Sequence, residues 1–378
     1  MSRYPWLKNA AAGWALGLVA LLSACSSSPS KPQPAALPAV SGGLTVSKAW
    51  SMRLGEITTP LQASVQGTRV VLASSQGMLL ELDAQNGQEL SRLQLKESIT
   101  AGVGSDGKRH AVVTSGNELV VVQDGREIWR QKLNAQTFTA PLVAGERVFV
   151  QTADRSVLGF DGASGQRLWS LPRNADPLVV RQSGVLVAAG DTLLAGNGGR
   201  LSAIQPLTGQ VRWDLVIGSS RGTNEVERLV DLVTGVSRQG QVVCVRSFQT
   251  AVGCVDTARG QVLWTRPAQG HQGLDGDETR VFGVESDSKL RAWNRQDGQP
   301  AWSEDQYRFR GLTAPRVWGV ALALGDAHGQ VHLLSREQGK TLQRVATDGT
   351  PVAMPPVVAG RTLVTVNRSG LVNGWRVD

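Results

Sequence analysis

Short runs of alternating apolar and polar residues, separated by turns centred on glycine, recur along most of this chain. In the clearest run, an alternating stretch extends from Val157 to Asp161, a glycine follows at Gly165, and a tryptophan follows at Trp169. The alternation predicts a half-buried strand, and an Asp shortly before a Gly is typical of a turn. The residues after the glycine predict a returning strand whose tryptophan packs on a neighbour. Because one such hairpin is marginal alone, the copies are predicted to stack.

The hairpin unit occurs seven times, and consecutive turn glycines are 38 to 51 residues apart. A period of about 40 residues with four strand-length segments is typical of a propeller blade. The third copy predicts strands at Phe138–Val143, Arg147–Thr152, Ser156–Phe160 and Arg167–Leu171. The turn glycines of the seven copies are Gly87, Gly125, Gly165, Gly209, Gly260, Gly298 and Gly339.

The two ends of the chain supply the halves of an eighth unit. Leu371–Asp378 has the pattern of a first strand, and Val46–Leu54 has the pattern of a returning strand, with Trp50 in the place of Trp169. Pairing of these two segments would close a ring and hide its open edges. The sequence therefore predicts an all-β fold, an eight-bladed β-propeller closed by pairing of the N-terminal strand with the C-terminal blade. A seven-bladed ring is the alternative, because the copy around Gly125 is shortened.

Residues 1–24 have the features of a secretory signal peptide. Arg3 and Lys8 precede an apolar run from Ala10 to Leu22, which is too short for a spanning helix with these flanks. The run ends in Leu-Ser-Ala-Cys25, which resembles the bacterial lipoprotein box, and this resemblance implies that Cys25 is acylated. Serine follows Cys25 where aspartate would signal retention at the inner membrane, so the resemblance implies outer-membrane sorting. An ordinary cleavage site beside an unrelated cysteine is the alternative.

The residues that follow Cys25 are rich in Pro, Ser and Ala. Such a composition cannot bury a core, so residues 25–44 are predicted to form a semi-extended tether that carries the acylated cysteine. The propeller itself is expected over residues 45–378. The net charge of +8 is spread along the 378 residues without a basic stripe, so nucleic acid is not an expected partner.

Three short motifs match known catalytic, dinucleotide-binding or metal-binding patterns, but the sequence around each motif does not support such a site. Gly218–Gly222 matches the serine-hydrolase elbow, which needs a strand followed by a helix. Gly102–Gly107 matches a dinucleotide fingerprint, but a strand pattern follows it. His328 and His332 are four residues apart on a predicted strand, without a third ligand nearby. The sequence therefore predicts no catalytic residue, no metal site and no cofactor.

Cys244 and Cys254 fall on adjacent predicted strands that flank a turn near Phe248. An oxidising compartment would allow a disulfide across these strands. Two small buried thiols are the alternative, because the register of the strands decides whether the sulfur atoms meet.

The cassette Gly-Gln-x-x-Trp, as at Gly165–Trp169, resembles the repeats of quinoprotein propellers, the pyrroloquinoline-quinone (PQQ) type. One branch comprises dehydrogenases that hold the quinone and a calcium ion above the ring centre and often carry two adjacent cysteines, which this chain lacks. The other branch includes the BamB family, non-catalytic lipoproteins of the outer-membrane β-barrel assembly (BAM) machinery. A lipoprotein box, a tether and eight cassettes without a catalytic set resemble that family.

The resemblance implies a function in binding rather than in catalysis. It implies a lipoprotein on the periplasmic face of the outer membrane that binds the POTRA domains of BamA, beside other BAM lipoproteins. It also implies assistance to the folding and insertion of unfolded outer-membrane proteins, whose extended strands could pair with blade edges. The alternatives are a PQQ-dependent dehydrogenase-like quinoprotein and a periplasmic scaffold with another partner.

Two segments extend the resemblance to individual residues. Glu225–Asp231 is similar to the family's Glu-Ile-Asp-Arg-Leu-x-Asp, and Leu178–Arg181 is similar to its Leu-x-Leu-Arg. This similarity implies that BamA contacts Leu178, Val180, Arg181, Arg228 and Asp231. The chain departs from the pattern with Val180 in place of Leu and Val233 in place of a second acid. Apart from the resemblance, a long charged connection on a regular scaffold favours a binding loop, and a solvated loop is the alternative.

Overall fold

The computed structural model describes residues 32–37, 39–40, 42–172, 181–219 and 229–378. The chain divides into one unit over Met1–Pro34, of which the structure describes residues 32–34 without regular secondary structure, and a second unit over Ala35–Asp378. Every regular element within the described ranges is a β-strand. The 32 strands form eight four-stranded antiparallel sheets, which confirms the predicted fold class.

The first four blades follow the order of the chain. Blade 1 contains β2 (Ser64–Gln66), β3 (Arg69–Ala73), β4 (Met78–Asp83) and β5 (Gln88–Gln94). Blade 2 contains β6 (Ile99–Ser105), β7 (Arg109–Thr114), β8 (Glu118–Gln123) and β9 (Arg126–Lys132). Blade 3 contains β10 (Leu142–Ala144), β11 (Arg147–Gln151), β12 (Val157–Asp161) and β13 (Arg167–Leu171). Blade 4 contains β14 (Leu186–Ala189), β15 (Thr192–Asn197), β16 (Arg200–Ile204) and β17 (Val211–Val216).

The remaining blades follow in the same way until the last, which takes its outer strand from the start of the chain. Blade 5 contains β18 (Leu232–Gln239), β19 (Val242–Ser247), β20 (Ala251–Asp256) and β21 (Gln261–Pro267). Blade 6 contains β22 (Leu274–Gly276), β23 (Arg280–Val284), β24 (Leu290–Asn294) and β25 (Pro300–Glu304). Blade 7 contains β26 (Arg316–Trp318), β27 (Ala321–Gly325), β28 (Gln330–Ser335) and β29 (Thr341–Ala346). Blade 8 contains β30 (Val357–Ala359), β31 (Thr362–Val366), β32 (Leu371–Val377) and β1 (Val46–Arg53).

The ring closes as predicted. β1 pairs antiparallel with β32, and Trp50 lies opposite Gly374. The first strands of neighbouring blades contact one another from blade 1 to blade 4 and from blade 5 to blade 8, and β2 of blade 1 contacts β30 of blade 8. A bridge between Gly184 and Val233 joins blades 4 and 5. The seven-bladed alternative is therefore wrong. The shortened copy is a complete blade whose two turn residues, Asp124 and Gly125, have φ angles of +51° and +70°. Positive φ at both positions gives the tight turn that matches strand twist.

Tryptophan side chains pack on the turn glycine of the next blade at six of the eight blade junctions. Trp129 of blade 2 packs on the turn glycine of blade 3, where a Cβ on Gly165 would lie 2.7 Å from the indole ring. The Trp129 Nε1 also donates to the carbonyl of Gly162, at 2.9 Å. The same packing joins Trp50 to Gly87, Trp169 to Gly209, Trp213 to Gly260, Trp264 to Gly298 and Trp302 to Gly339. The repeated spacing between glycine and tryptophan thus reflects contacts between neighbouring blades.

Each of the eight outermost strands carries a bulge directly before the tryptophan position. In β13, Trp169 pairs with Gly159 and Arg167 pairs with Phe160, which leaves Leu168 as the extra residue. A bulge leaves a residue unpaired and twists the strand, which disrupts pairing along an exposed edge. The rim of the ring is therefore interrupted at the same level in every blade.

The innermost strand of blade 3 is shorter than the pattern predicts. Phe138–Val143 was expected as the first strand of the third copy, but β10 spans only Leu142–Ala144. Pro141 precedes β10 and has no N–H to donate, so the ladder cannot extend through it.

Candidate partner-binding site

The antiparallel order of each blade gives the ring two distinct faces. The connections between blades lie at the same end as the turns between the second and third strands of each blade. We call this end the connection face. The opposite end carries the turns that contain the repeated glycines, and we call it the turn face.

The predicted partner-binding residues fall in two connections. Arg181 lies between β13 and β14, and Asp231 lies between β17 and β18, so both belong to the connection face. Leu178, Val180 and Arg228 lie outside the described residues, as does the predicted lipidation residue Cys25. The structure therefore places two of the five predicted partner-binding residues, one on each side of blade 4.

Arg181 is exposed and rests on an aromatic ring. Its guanidinium carbon is 5.6 Å from the centroid of Phe138, in the connection that leads into blade 3. A guanidinium at this distance is attracted by the ring face. The contact orients Arg181 while leaving it accessible from the connection face.

Asp231 lies in the same region and is held by a second arginine. The Asp231 Oδ2 is 3.7 Å from the Arg155 Nη2, and both side chains are largely buried. Arg155 occupies the turn between β11 and β12 with a φ of +63°. The backbone carbonyl of Asp231 also accepts a hydrogen bond of 2.7 Å from the Phe248 amide. Contacts from blades 3 and 5 therefore fix Asp231.

A narrow cleft of about 40 Å³ joins these groups, with Phe138, Arg155, Gln182 and Asp231 in its lining. Beyond Phe248 the surface opens into a groove of about 1210 Å³ across blades 5 and 6. A polar recess of mixed charge beside an open groove fits a folded protein surface better than a small molecule. Sequence reasoning missed Phe138 and Arg155, because no local signal places either residue beside its partner.

Side chains cross the ring centre, where the quinoprotein dehydrogenases would hold their cofactor. Gln62 of blade 1 donates to the Ser183 hydroxyl of blade 4, and the Thr234 hydroxyl of blade 5 donates to the Gln62 Oε1 at 3.4 Å. Gln182 also donates to the carbonyl of His271. In the described part of the chain, no group of three or more His, Cys, Asp or Glu could hold a metal ion. The described side chains at the ring centre are therefore amides and hydroxyls that hydrogen-bond to one another.

One cluster approaches a serine–histidine–acid arrangement. The Ser105 Oγ is 2.8 Å from the His110 Nδ1, and the His110 Nε2 is 3.5 Å from Glu81. All three residues are buried, and the Ser105 Oγ already accepts a hydrogen bond from the Gly107 amide. Burial also lowers the pKa of His110. A nucleophile needs access to substrate, so this cluster is a polar contact between blades 1 and 2.

The remaining motifs occupy ordinary positions in the blades. Gly102 and Gly104 lie within β6, and no helix follows. The elbow-like motif runs from Gly218 into residues 220–222, which lie outside the described residues. His328 lies in a turn, so its predicted placement on a strand was wrong, and His332 is buried on β28 at 3.0 Å from Asp326.

Cys244 and Cys254 are directly opposite each other on β19 and β20, and the structure joins them in a disulfide. Both residues are fully buried. The Arg295 Nη1 of blade 6 lies 3.4 Å from the Cys244 sulfur, so the pair also lies at a contact between blades.

A family model described as "Outer membrane protein assembly factor BamB" matches residues 75–304. A relative in Burkholderia pseudomallei (strain K96243) with the same description is 34% identical over 363 residues, which cover 95% of each chain. The chain belongs to the BamB family. The matched residues include Arg181 and Asp231, so both belong to the part of the chain that identifies it as BamB-like.

Solved structures agree with this placement at the level of the fold. The crystal structure of BamB from Moraxella catarrhalis matches with a TM-score of 0.80 at 24% identity, over 88% of this chain and 100% of that one. A quinohemoprotein alcohol dehydrogenase from Comamonas testosteroni matches with a TM-score of 0.66 at 13% identity, over 88% of this chain and 76% of that one. The BamB fold is thus shared with quinone enzymes. Within the described ranges, no helix has the length and apolar character needed to cross a membrane.

Proposed function

We propose that this protein is a non-catalytic outer-membrane lipoprotein that binds the POTRA domains of BamA through the connection face of blades 3 to 5. One observation carries the proposal: Arg181 and Asp231, in two segments that resemble BamB contact segments, belong to neighbouring connections beside one cleft. The relatives' description as outer membrane protein assembly factors supports the role.

The geometry suits recognition of a folded partner. Arg181 offers an exposed guanidinium, and Asp231 offers a carboxylate held in place by Arg155. Loops held on a rigid scaffold keep such groups in a fixed relation, which reduces the entropy lost on binding. A partner with a carboxylate and a donor at the matching spacing would pair with both groups.

The proposed location follows from the N-terminal segment. An acylated Cys25 would hold the protein at the periplasmic face of the outer membrane, since several acyl chains give firm anchoring. Residues 25–44 would connect the anchor to the propeller. The other BAM lipoproteins would share BamA as their common partner.

The proposed assistance to unfolded outer-membrane proteins works through BamA and not through the blade rims. Pairing of a client strand with an outermost blade strand is disfavoured, because every such strand is interrupted by a bulge. The protein would instead orient BamA, or hold a client on the connection face, while the client folds and inserts.

Charge reversal tests the binding site. Arg181→Glu with Asp231→Asn should abolish co-purification of BamA from solubilised outer membranes, because the contact of Arg181 becomes repulsive and the charge of Asp231 is lost without a second arginine beside Arg155. An unchanged circular dichroism spectrum shows that this variant is folded. The matched control reverses Arg212 and Asp191, an ion pair of 3.0 Å at the turn face of the same blade, and should leave co-purification unchanged. Undiminished co-purification of the Arg181 and Asp231 variant would remove the site. Absence of BamA from the wild-type sample would favour a scaffold with another partner.

A further inference from the structure

One residue of the segment before the propeller is bound to blade 7 through both of its backbone polar groups. The Ala35 amide donates to the Arg308 carbonyl at 2.9 Å, and the Arg310 Nη1 donates to the Ala35 carbonyl at 2.9 Å. Arg308 and Arg310 lie in the connection between β25 and β26, on the connection face. The bonds require an N–H and a C=O but no particular side chain.

Arg310, which donates to the Ala35 carbonyl, is held in place by a buried aspartate. The Arg310 Nε and Nη2 each lie 2.8 Å from the Asp326 Oδ2, and Asp326 is fully buried. Asp326 also accepts hydrogen bonds from the backbone amides of His328 and Gln330. Two of the three guanidinium nitrogens are thus used inside the blade. The third nitrogen points out to the Ala35 carbonyl.

The acceptor carbonyl is positioned by a strained turn. Phe309 has a φ of +59°, a conformation that is rare for a bulky residue and persists only where surrounding contacts enforce it. Its amide donates to the Asp287 carbonyl at 2.8 Å, and the Arg308 Nη2 lies 2.5 Å from the Asp287 Oδ2. Blade 6 therefore holds Arg308 and Phe309 in this turn, beside the fixed Arg310.

We propose that Arg308, Arg310 and Asp326 form a clamp whose occupant is the chain's own tether, bound through the backbone of Ala35. The clamp fixes the point at which the tether leaves the propeller. That point lies at blade 7, four blades round the ring from the blade 3 contacts of Arg181. The function of this clamp rests on the proposed acylation of Cys25, whereas the contacts themselves do not.

Docking changes how far the propeller can move from its anchor. Ten residues separate Cys25 from Ala35 (35 − 25), which is at most about 35 Å of extended chain. Without the clamp, 21 residues separate Cys25 from the first strand at Val46 (46 − 25), which is about 70 Å. An occupied clamp therefore halves the maximum reach and ties one side of the connection face closer to the lipid surface.

The test uses the full-length acylated protein in lipid vesicles. Ala35→Pro removes the N–H that donates to the Arg308 carbonyl, and it changes no residue of the propeller strands. Ala36→Pro introduces the same residue one position later and is the matched control. Arg310→Lys is the second variant. Lysine has a single ammonium nitrogen, so it cannot bind Asp326 and the Ala35 carbonyl through separate nitrogens as the guanidinium does. Spin labels at Leu37→Cys and Gln306→Cys report whether the segment stays on blade 7.

The expected result is one narrow distance distribution for the wild type and Ala36→Pro, and a broad distribution for Ala35→Pro and Arg310→Lys. Energy transfer from the propeller to a dye in the vesicle should also fall in the two broadened variants, since their reach increases. A broad distribution in the wild type, or an unchanged narrow one in Ala35→Pro, overturns the clamp. Repeating the spin-label measurement with Cys25→Ala protein in solution separates failure of the clamp from failure of the proposed anchor.

Discussion

Trp50, near the start of the propeller, packs over the backbone of Gly374, near its end, and the Trp50 Nε1 donates to the Ala84 carbonyl of blade 1 at 2.7 Å. One side chain therefore connects the last blade to the first. Truncation of Trp50 to Ala should destabilise the propeller by about 3 kcal/mol, through lost burial and the cavity that remains. Urea denaturation followed by tryptophan fluorescence and circular dichroism measures the change.

Trp50→Phe keeps most of the apolar contact and should cost only about 1 kcal/mol for the lost hydrogen bond. Equal effects of the two variants would contradict this account of closure.

The turn glycines should be sensitive to a methyl group for two separable reasons. Gly165 has a φ of +73°, and a Cβ there would lie 2.7 Å from the ring of Trp129. Gly145 has a φ of +57° but has no atom within 4 Å of an added Cβ. Gly145→Ala should therefore cost about 1 kcal/mol from backbone strain alone. Gly165→Ala should cost about 1–3 kcal/mol more, because the indole must move. Denaturant midpoints of the two variants give the difference, and a larger loss in Gly145→Ala would refute the packing argument.

Three histidines, of which His110 and His332 are buried and His271 is partly buried, should make the fold less stable as the pH falls. Burial is the main cause that lowers the pKa of His110, His271 and His332 below the ordinary value of about 6.5. Below that pH the unfolded chain takes up protons that the folded chain excludes. The free energy of unfolding should then decrease by up to about 1.4 kcal/mol per pH unit for each histidine.

Urea titrations at pH 7.5, 6.5 and 5.5 check this expectation. His332→Asn removes one of the three groups and should flatten the dependence on pH. Stability that rises between pH 6.5 and 5.5 would contradict the role of these histidines.

The disulfide should contribute stability without being needed for the ring. It closes a loop of 10 residues, for which the chain-entropy model gives about 2–3 kcal/mol. Cys244→Ser with Cys254→Ser should lower the denaturation midpoint accordingly, while circular dichroism retains the all-β spectrum. Alkylation of the denatured protein without reductant should leave the mass unchanged at these two cysteines. Addition of two labels would show that the thiols are free in the mature protein.

The order of strands in each blade was predictable, because the residues that determine it lie close together in the sequence. The spacing from Gly165 to Trp169 encodes a turn and the strand after it, and the half-units at Trp50 and Leu371 encode closure. The bulge at Leu168 was not predictable, since it depends on which residues of β12 lie opposite.

Contacts between segments that lie far apart in the sequence were not predictable either. Asp231 meets Arg155, and Ala35 meets Arg310, only because the ring brings separate connections to one face. Arg181 and Asp231 were predicted from family resemblance, with support for Asp231 from the long charged connection that carries it, and the contacts of both residues were visible only in three dimensions.

The tryptophan contacts also divide the ring unevenly. Ser91 and Gln343 occupy the tryptophan position at the junctions between blades 1 and 2 and between blades 7 and 8. Both junctions flank the pair of blades that Trp50 joins, and that pair contains β1 and β32. Other contacts hold these two junctions. The Trp318 Nε1 of blade 7 donates to the Arg361 carbonyl of blade 8 at 3.1 Å, and apolar side chains of blades 8, 1 and 2 share one core. Detachment of β1 from β32 would expose this shared core, so both chain ends are expected to open together with blades 8, 1 and 2.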